Sequence, residues 1–299
     1  MSLLLNRFFR TFITNQHQDI ERFIGMIKIR DIKIGGGNPL ALIAGPCVVE
    51  GRDITLRTAE RLKKIARKYN VPFIFKSSYK KANRISGKSF TTLGISEGLA
   101  ILAEVKKEVD LPILTDIHAE SEVEAASKVA DILQIPAFLC RQTDLLRSAG
   151  RSGKVINIKK GQFMAPEDME HQAKKVEMTG NKKVTLTERG STFGYHNLVV
   201  DMRSLIVMRR FGYPVILDAT HSVQLPGAGK NETSGQPEYI FPIARAGAAV
   251  GIDGLFVEVH MNPNRALSDA ASQLKIDYLE DLLKQIIPID RLVKEELEI

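Results

Sequence analysis

The chain has 299 residues, 44% hydrophobic and 26% charged, with 42 Lys and Arg against 35 Asp and Glu, a net charge of +7. This fits one large soluble domain with a sizeable core, and no apolar run is long enough to cross a bilayer. Two cysteines, Cys47 and Cys140, are too few for a disulfide scaffold and indicate a reducing, cytoplasmic setting. The excess positive charge lies largely in helices of mixed sign, and no basic–aromatic stacking motif accompanies it, which argues against nucleic-acid binding.

Residues 1–25 stand apart as an N-terminal extension. Arg7, Phe8, Phe9, Arg10 and Phe12 precede the first acid, Asp19; this faintly resembles an organelle transit peptide, or sequence upstream of a start at Met26. The extension is expected to be mobile or helical and without a catalytic role. Residues 26–299 read as one catalytic domain. Its first segment alternates Ile27, Ile29, Ile32 and Ile34 around Arg30-Asp31, predicting a hairpin that plugs the bottom of a barrel. Gly35-Gly36-Gly37 is not a phosphate loop, because it runs into Asn38-Pro39 and a strand rather than a helix.

Eight strand-like segments then alternate with helical ones. Leu40–Ala44 is a continuous apolar run, as in a strand buried on both faces. Ile54–Tyr69 has helical spacing, Val71–Phe75 is a strand, and Ser96–Val109 is a helix with Leu99, Leu102 and Val105 inward. A strand leads to Asp116, a helix covers Glu122–Val129, and Ile132–Ala137 is the next strand. Val155–Ile158, Val184–Leu186, Val215–Leu217 and Leu255–Val257 complete the set. The last helix, Tyr278–Glu296, is expected to kink or split at Pro288. Eight regular units predict an α/β fold, a closed (β/α)8 TIM barrel, over an open doubly wound sheet.

The carboxyl ends of such strands share one mouth. Lys76, Lys81, Arg84, Arg141, Lys159, Lys160 and Arg189 all fall there. So many cations on one concave surface would repel unless anions such as phosphate or carboxylate bind among them. Cys47, His221, Glu258 and Asp269 form a second set, whose thiolate, imidazole and carboxylates suit a divalent Zn, Fe, Mn or Co ion. Taken singly, Cys47 is more often a small buried apolar side chain, and Asp269 could simply cap the turn at Leu267-Ser268. Asp116, His118 and His260 are candidates for proton handling or hydroxyl contacts, Cys140 is read as a packed thiol, and Pro226–Gly235 as a lid over the mouth.

Several stretches carry a specific resemblance: Ile43–Cys47, Phe75–Ser78, Lys81-Ala82-Asn83-Arg84, Thr115–His118, Ile135–Asp144, Asn157–Phe163, Leu186–Val200, Asp218–Pro226 and Leu267-Ser268-Asp269. From Ile27 onward the chain resembles the family of 3-deoxy-D-manno-octulosonate 8-phosphate synthases and their sister 3-deoxy-D-arabino-heptulosonate 7-phosphate synthases. The resemblance implies a transferase that condenses phosphoenolpyruvate with arabinose 5-phosphate for lipopolysaccharide. The Lys-Ala-Asn-Arg stretch favours this sugar over the erythrose 4-phosphate of the sister enzymes. Cys47 implies the metal-dependent branch, with His221, Glu258 and Asp269 as its other ligands. Lys76, Ser78, Lys81, Lys159, Gln162, Arg189 and His221 would surround phosphoenolpyruvate. Asn83 and Arg84 would bind the sugar phosphate, with Arg141 contributing at a subunit boundary of a homotetramer. Asp116 and His118 complete the implied site. One departure stands out: the family usually has Ser-Ser after Arg84, where this chain has Ile85-Ser86. A non-catalytic anion-binding barrel is the reading from another class.

Overall fold

The computed structural model describes residues 25–82, 90–228 and 234–296. The extension up to residue 24, Asn83 and Arg84, and the centre of the lid segment lie outside them. Strands β1 (Met26–Ile29) and β2 (Ile32–Gly35) pair antiparallel, Ile27 opposite Ile34 and Ile29 opposite Ile32. All four isoleucines are buried among Ala41, Ile43, Ile74, Leu114, Ile132, Val155, Ile216 and Phe256. Those partners come mostly from the first half of each barrel strand, so the hairpin closes the amino-terminal end of the barrel, as its alternation predicted.

The chain continues through β3 (Ala41–Gly45), α1 (Arg52–Lys68), β4 (Phe73–Lys76), α2 (Ile95–Glu104), β5 (Ile113–Asp116), α3 (Glu120–Val129) and β6 (Ile132–Ile135). Then come α4 (Thr143–Arg151), β7 (Val155–Lys159), α5 (Met169–Glu177), β8 (Val184–Glu188) and a short ladder of β9 (Ser191–Thr192) with β10 (Leu198–Val199). After α6 (Met202–Arg209) and β11 (Val215–Asp218), a second short ladder joins β12 (Gln224–Leu225) to β13 (Ser234–Gly235). The chain ends with α7 (Ile240–Val250), β14 (Gly254–His260), β15 (Leu274–Lys275) and α8 (Leu279–Arg291). Strands β3, β4, β5, β6, β7, β8, β11 and β14 pair in parallel in that order, and β14 returns to β3. The barrel is closed.

Every residue of these eight strands is buried; most are apolar, as a strand covered on both faces favours, while Gln134, Asn157, Thr185 and Thr187 are polar residues within the strands. The helices turn their apolar stripe onto them; α1 buries Ala59, Leu62, Ile65 and Ala66. Three expectations need correction. The last helix does not split: α8 runs through Pro288, because Leu279, Leu282, Leu283 and Ile286 bury a continuous face that outweighs a proline penalty of about 3 kcal/mol. The helix expected to reach Val109 is α-helical only to Glu104 and continues as a π-helical turn, Val105–Val109, ended by Asp110 at φ 51°. The strand expected to reach Ala137 stops at Ile135, since Pro136 has no N–H to give the ladder.

The mouth is shaped by backbone proximity as well. A Cβ on Gly45 would lie 1.9 Å from the Lys76 carbonyl oxygen. Only glycine lets β3 approach β4 this closely just before Pro46-Cys47. Beyond it Val49 N–H donates to Ser78 O at 2.9 Å, locking the Cys47 segment beside the end of β4.

Candidate active site

Cys47 leaves β3 fully buried. Its Sγ lies 2.8 Å from Ser268 Oγ and 3.3 Å from Asp269 Oδ2. Ligand atoms of Cys47, Glu258 and Asp269 all fall within 4.8 Å of one another. His221 joins them from the loop after β11, its Nε2 3.7 Å from Glu258 Oε2 and 3.8 Å from Asp269 Oδ2. Its Nδ1 is 2.7 Å from Asp218 Oδ2. That contact places the proton on Nδ1 and leaves the Nε2 lone pair facing the cluster, the arrangement of a carboxylate-oriented metal-binding histidine. Glu258 Oε2 is buried without a hydrogen-bond partner. An orphaned carboxylate oxygen beside a thiol, an imidazole nitrogen and a second carboxylate fits a divalent cation. Burial first, then the Asp269 and Glu258 charges, push the Cys47 thiol well above its usual value; a cation at this point would reverse that.

The cations are not arranged as expected. They alternate with the protein's own buried carboxylates, so the mouth does not depend on an outside anion for charge balance. Lys76 pairs with Glu258 and lies 4.0 Å from Asp116 Oδ2. Lys81 lies 3.9 Å from Asp116 and 3.8 Å from Glu258. Lys159 contacts Asp218 at 2.5 Å and sits 4.0 Å from the centre of the Phe256 ring. Burial would raise the Asp116 carboxyl, but Lys76, Lys81 and Lys159 overcome it and hold it far below the usual range. The same opposition, led by Lys76 with Lys81 and Lys159, holds Glu258 down. For Lys81, burial favours loss of charge, yet Cys47, Glu258 and Asp116 raise it above an ordinary lysine. Burial lowers Lys159, with Asp218 opposing.

Arg189 is the exception. Its Nη2 donates to Gln224 Oε1 at 2.9 Å, while its buried Nη1 has no hydrogen-bond partner. Gln162 is also buried, with an unpartnered Oε1. A desolvated guanidinium edge is a ready donor pair for phosphate or carboxylate. Lys160, by contrast, is not presented to the mouth. It is fully buried, 2.8 Å from Ser191 Oγ and 3.4 Å from Glu188 Oε1.

Ser78 donates to Asp116, which also accepts from Gln134 Nε2 at 2.6 Å. Gln134 accepts in turn from Asn157 at 2.7 Å, so a buried polar chain crosses from β4 to β7. His118 faces Glu122, its Nδ1 at 3.2 Å, and Glu122 also accepts from Tyr79 and Lys80. His260 is tied to Glu50 at 3.3 Å. Arg141 lies exposed on the loop after β6, apart from the buried cluster. Cys140 is buried, as a packed thiol should be.

Sequence reasoning passed over Asp218, the shared partner of Lys159 and His221, although its place three residues before His221 at a strand end was the available signal. It also passed over Gln134, Gln224, Ser268, Gln273 and Glu50. Uncharged or isolated side chains carry no spacing signal, and each matters here only through a partner distant in sequence.

A family model described as the DAHP synthetase I family matches residues 11–295. Among curated proteins, the 2-dehydro-3-deoxyphosphooctonate aldolase of Geobacter metallireducens is 54% identical over 268 residues, covering 90% of this chain and 98% of its own. The protein of the same name from Syntrophotalea carbinolica is 53% identical over 272 residues, covering 91% and 98%. The one from Geobacter sulfurreducens is 54% identical over 268 residues, covering 90% and 98%.

Proposed function

The chain belongs to the DAHP synthetase I family, and we infer that within it the chain condenses phosphoenolpyruvate with D-arabinose 5-phosphate and water. The products are 3-deoxy-D-manno-octulosonate 8-phosphate and phosphate, a transferase step toward lipopolysaccharide. Carrying this reading are relatives that match over nearly their whole length and share the octulosonate name, together with the unpartnered Arg189 edge at the barrel mouth. The erythrose 4-phosphate alternative has no such support.

In the condensation, C3 of phosphoenolpyruvate attacks the sugar aldehyde while water adds at C2. The resulting hemiketal phosphate loses phosphate by C–O cleavage. Arg189, through its unpartnered Nη1, and Lys159 receive the phosphate and carboxylate of phosphoenolpyruvate, with Lys76, Ser78, Lys81, Gln162 and His221 around them. Preorganised donors of this kind supply roughly 3 kcal/mol each to the transition state. Asp116, held so far below the usual carboxylate range, is a weak base; its role is to orient Ser78 and Lys81 rather than to take a proton. Asn83 and Arg84 bind the sugar phosphate, and His118 contacts a sugar hydroxyl. Cys47, His221, Glu258 and Asp269 would hold a divalent Zn, Fe, Mn or Co ion, which when bound supplies polarisation or orientation of the aldehyde.

Residues 26–299 form the catalytic unit and the setting is cytoplasmic. Among the described residues no helix is long and apolar enough to cross a membrane. A homotetramer is supported by exposed Phe138, Phe163, Phe193 and Tyr195 on the loops after β6, β7 and β8, with Arg141 on the same side reaching a neighbour's substrate. Phosphate release, measured with arabinose 5-phosphate and with erythrose 4-phosphate, with and without chelator, tests the reading. Release with the pentose phosphate that chelator stops is expected. Preference for the tetrose phosphate overturns the substrate assignment, and indifference to chelator overturns the metal.

A further inference from the structure

We propose that Glu50 is a positioning residue that sets the relative placement of three metal-ligand segments; this rests on reading Cys47, His221, Glu258 and Asp269 as a divalent-cation site. Glu50 follows Cys47 by three residues in the connection from β3 to α1. One carboxylate oxygen, Oε1, accepts from Leu267 N–H at 2.8 Å, two residues before Asp269. The other, Oε2, lies 3.3 Å from His260 Nε2, two residues beyond Glu258. One nearly buried side chain thus joins the segments that supply three of the four donors, with side-chain exposures of 8% for Glu50 and 3% for His260.

The chemistry of the bridge requires a carboxylate. His260 Nδ1 accepts from Asn262 N–H at 3.0 Å, so the imidazole carries its proton on Nε2 and donates it to Glu50. Both partners of Glu50 are therefore donors, and each is met by a different carboxylate oxygen. A glutamine has one oxygen and one amide NH2. It must confront either His260 Nε2–H or Leu267 N–H with a second donor, and the imidazole cannot shift its proton to Nδ1 without losing Asn262. The loop held this way needs holding: Asp269 sits at φ 48°, in the left-handed region, a conformation that persists when its surroundings fix it. Gln273 braces the same loop from the other side, accepting from Cys47 N–H at 3.3 Å and donating to Ser268 O at 2.7 Å. The far end of the loop is held to β14 by backbone pairing, Val259 opposite Leu274, and Glu50 is the side chain among these groups that reaches His260.

The experiment is Co2+ binding to the full chain and to E50Q, by chelator competition and by the thiolate-to-cobalt absorption of Cys47, alongside melting temperature and kinetics. E50Q is expected to bind Co2+ about 10- to 100-fold more weakly, with kcat recovering at excess Co2+ and KM for phosphoenolpyruvate unchanged. A merely structural role would lower the melting temperature without moving the cobalt affinity. Equal affinity of E50Q and wild type overturns the proposal alone; no cobalt uptake by wild type overturns the metal reading and the proposal with it. If E50Q does not fold, H260Q and H260L read the same bridge. The amide of H260Q still donates to Glu50 and keeps affinity within about threefold, whereas H260L loses it by about tenfold or more; equal affinities for the two refute the bridge.

Discussion

Replacing Asp218 with Asn removes one charge from the point where substrate-binding and metal-binding groups meet. Asp218 is fully buried, and its Oδ2 serves Lys159 Nζ at 2.5 Å and His221 Nδ1 at 2.7 Å. Its Oδ1 accepts from Thr220 Oγ1 at 3.0 Å and from His221 N–H at 2.9 Å. At 2.5 Å and an effective dielectric near 20, the gross Lys159 attraction is about 7 kcal/mol. Desolvation offsets part of it, and removing one partner of a buried pair costs about 3–5 kcal/mol. Asn keeps the Oδ1 contacts but turns an NH2 toward two donors, so the loss is at least about 3 kcal/mol. If that loss falls on the transition state it is roughly a 100-fold drop in kcat/KM for phosphoenolpyruvate. Loss of the carboxylate behind His221 is expected to weaken divalent-ion affinity by about 10- to 100-fold as well. Steady-state phosphate release, a thermal melt and chelator competition separate the effects. D218N with kcat/KM and ion affinity both within about threefold of wild type would refute the claim that Asp218 couples the two sets.

Cys47→Ala removes the softest donor of the cluster and is expected to abolish ion binding and most turnover; full turnover of that variant in strong chelator would sink the metal assignment. Gly45→Ala places a Cβ 1.9 Å from a backbone oxygen, and overpacking against rigid backbone is expected to cost at least about 2 kcal/mol in denaturant unfolding; a change below about 0.5 kcal/mol contradicts the contact. Glu122→Gln tests a pH effect. Burial opposes ionisation of Glu122, but His118, Lys80 and Tyr79 hold it below the usual carboxylate range. A depressed carboxylate stabilises the fold above its unfolded value, about 4.3, and less as pH falls below that. The stability gap between wild type and E122Q should therefore be full at neutral pH and narrow in acid; a gap that widens toward acid reverses the sign and the assignment.

The apolar-rich runs and helical stripes determined the barrel, because a parallel strand covered on both faces is mostly apolar while the helices need only one apolar side. The same regularity made strand ends legible, so Cys47, Lys76, Asp116, Lys159, Arg189, His221 and Glu258 could be named as one mouth. The family motifs added roles that spacing could not supply. Tertiary structure decided the pairings. Cys47 and Asp269 are 222 positions apart and meet because β14 closes against β3. Whether a cation there is bare or already neutralised depends on a few ångströms: Lys160 turned inward to Glu188, Lys159 met Asp218, and Arg189 kept an unpartnered edge. Pro288 read as a kink or split, yet α8 runs through it to Arg291, because the proline penalty of about 3 kcal/mol is outweighed by a buried helix face. Glu50 was one acid among 35 Asp and Glu until the fold set two donors before its two oxygens, since hydrogen bonding acts over about 3 Å in space and leaves no period in the chain.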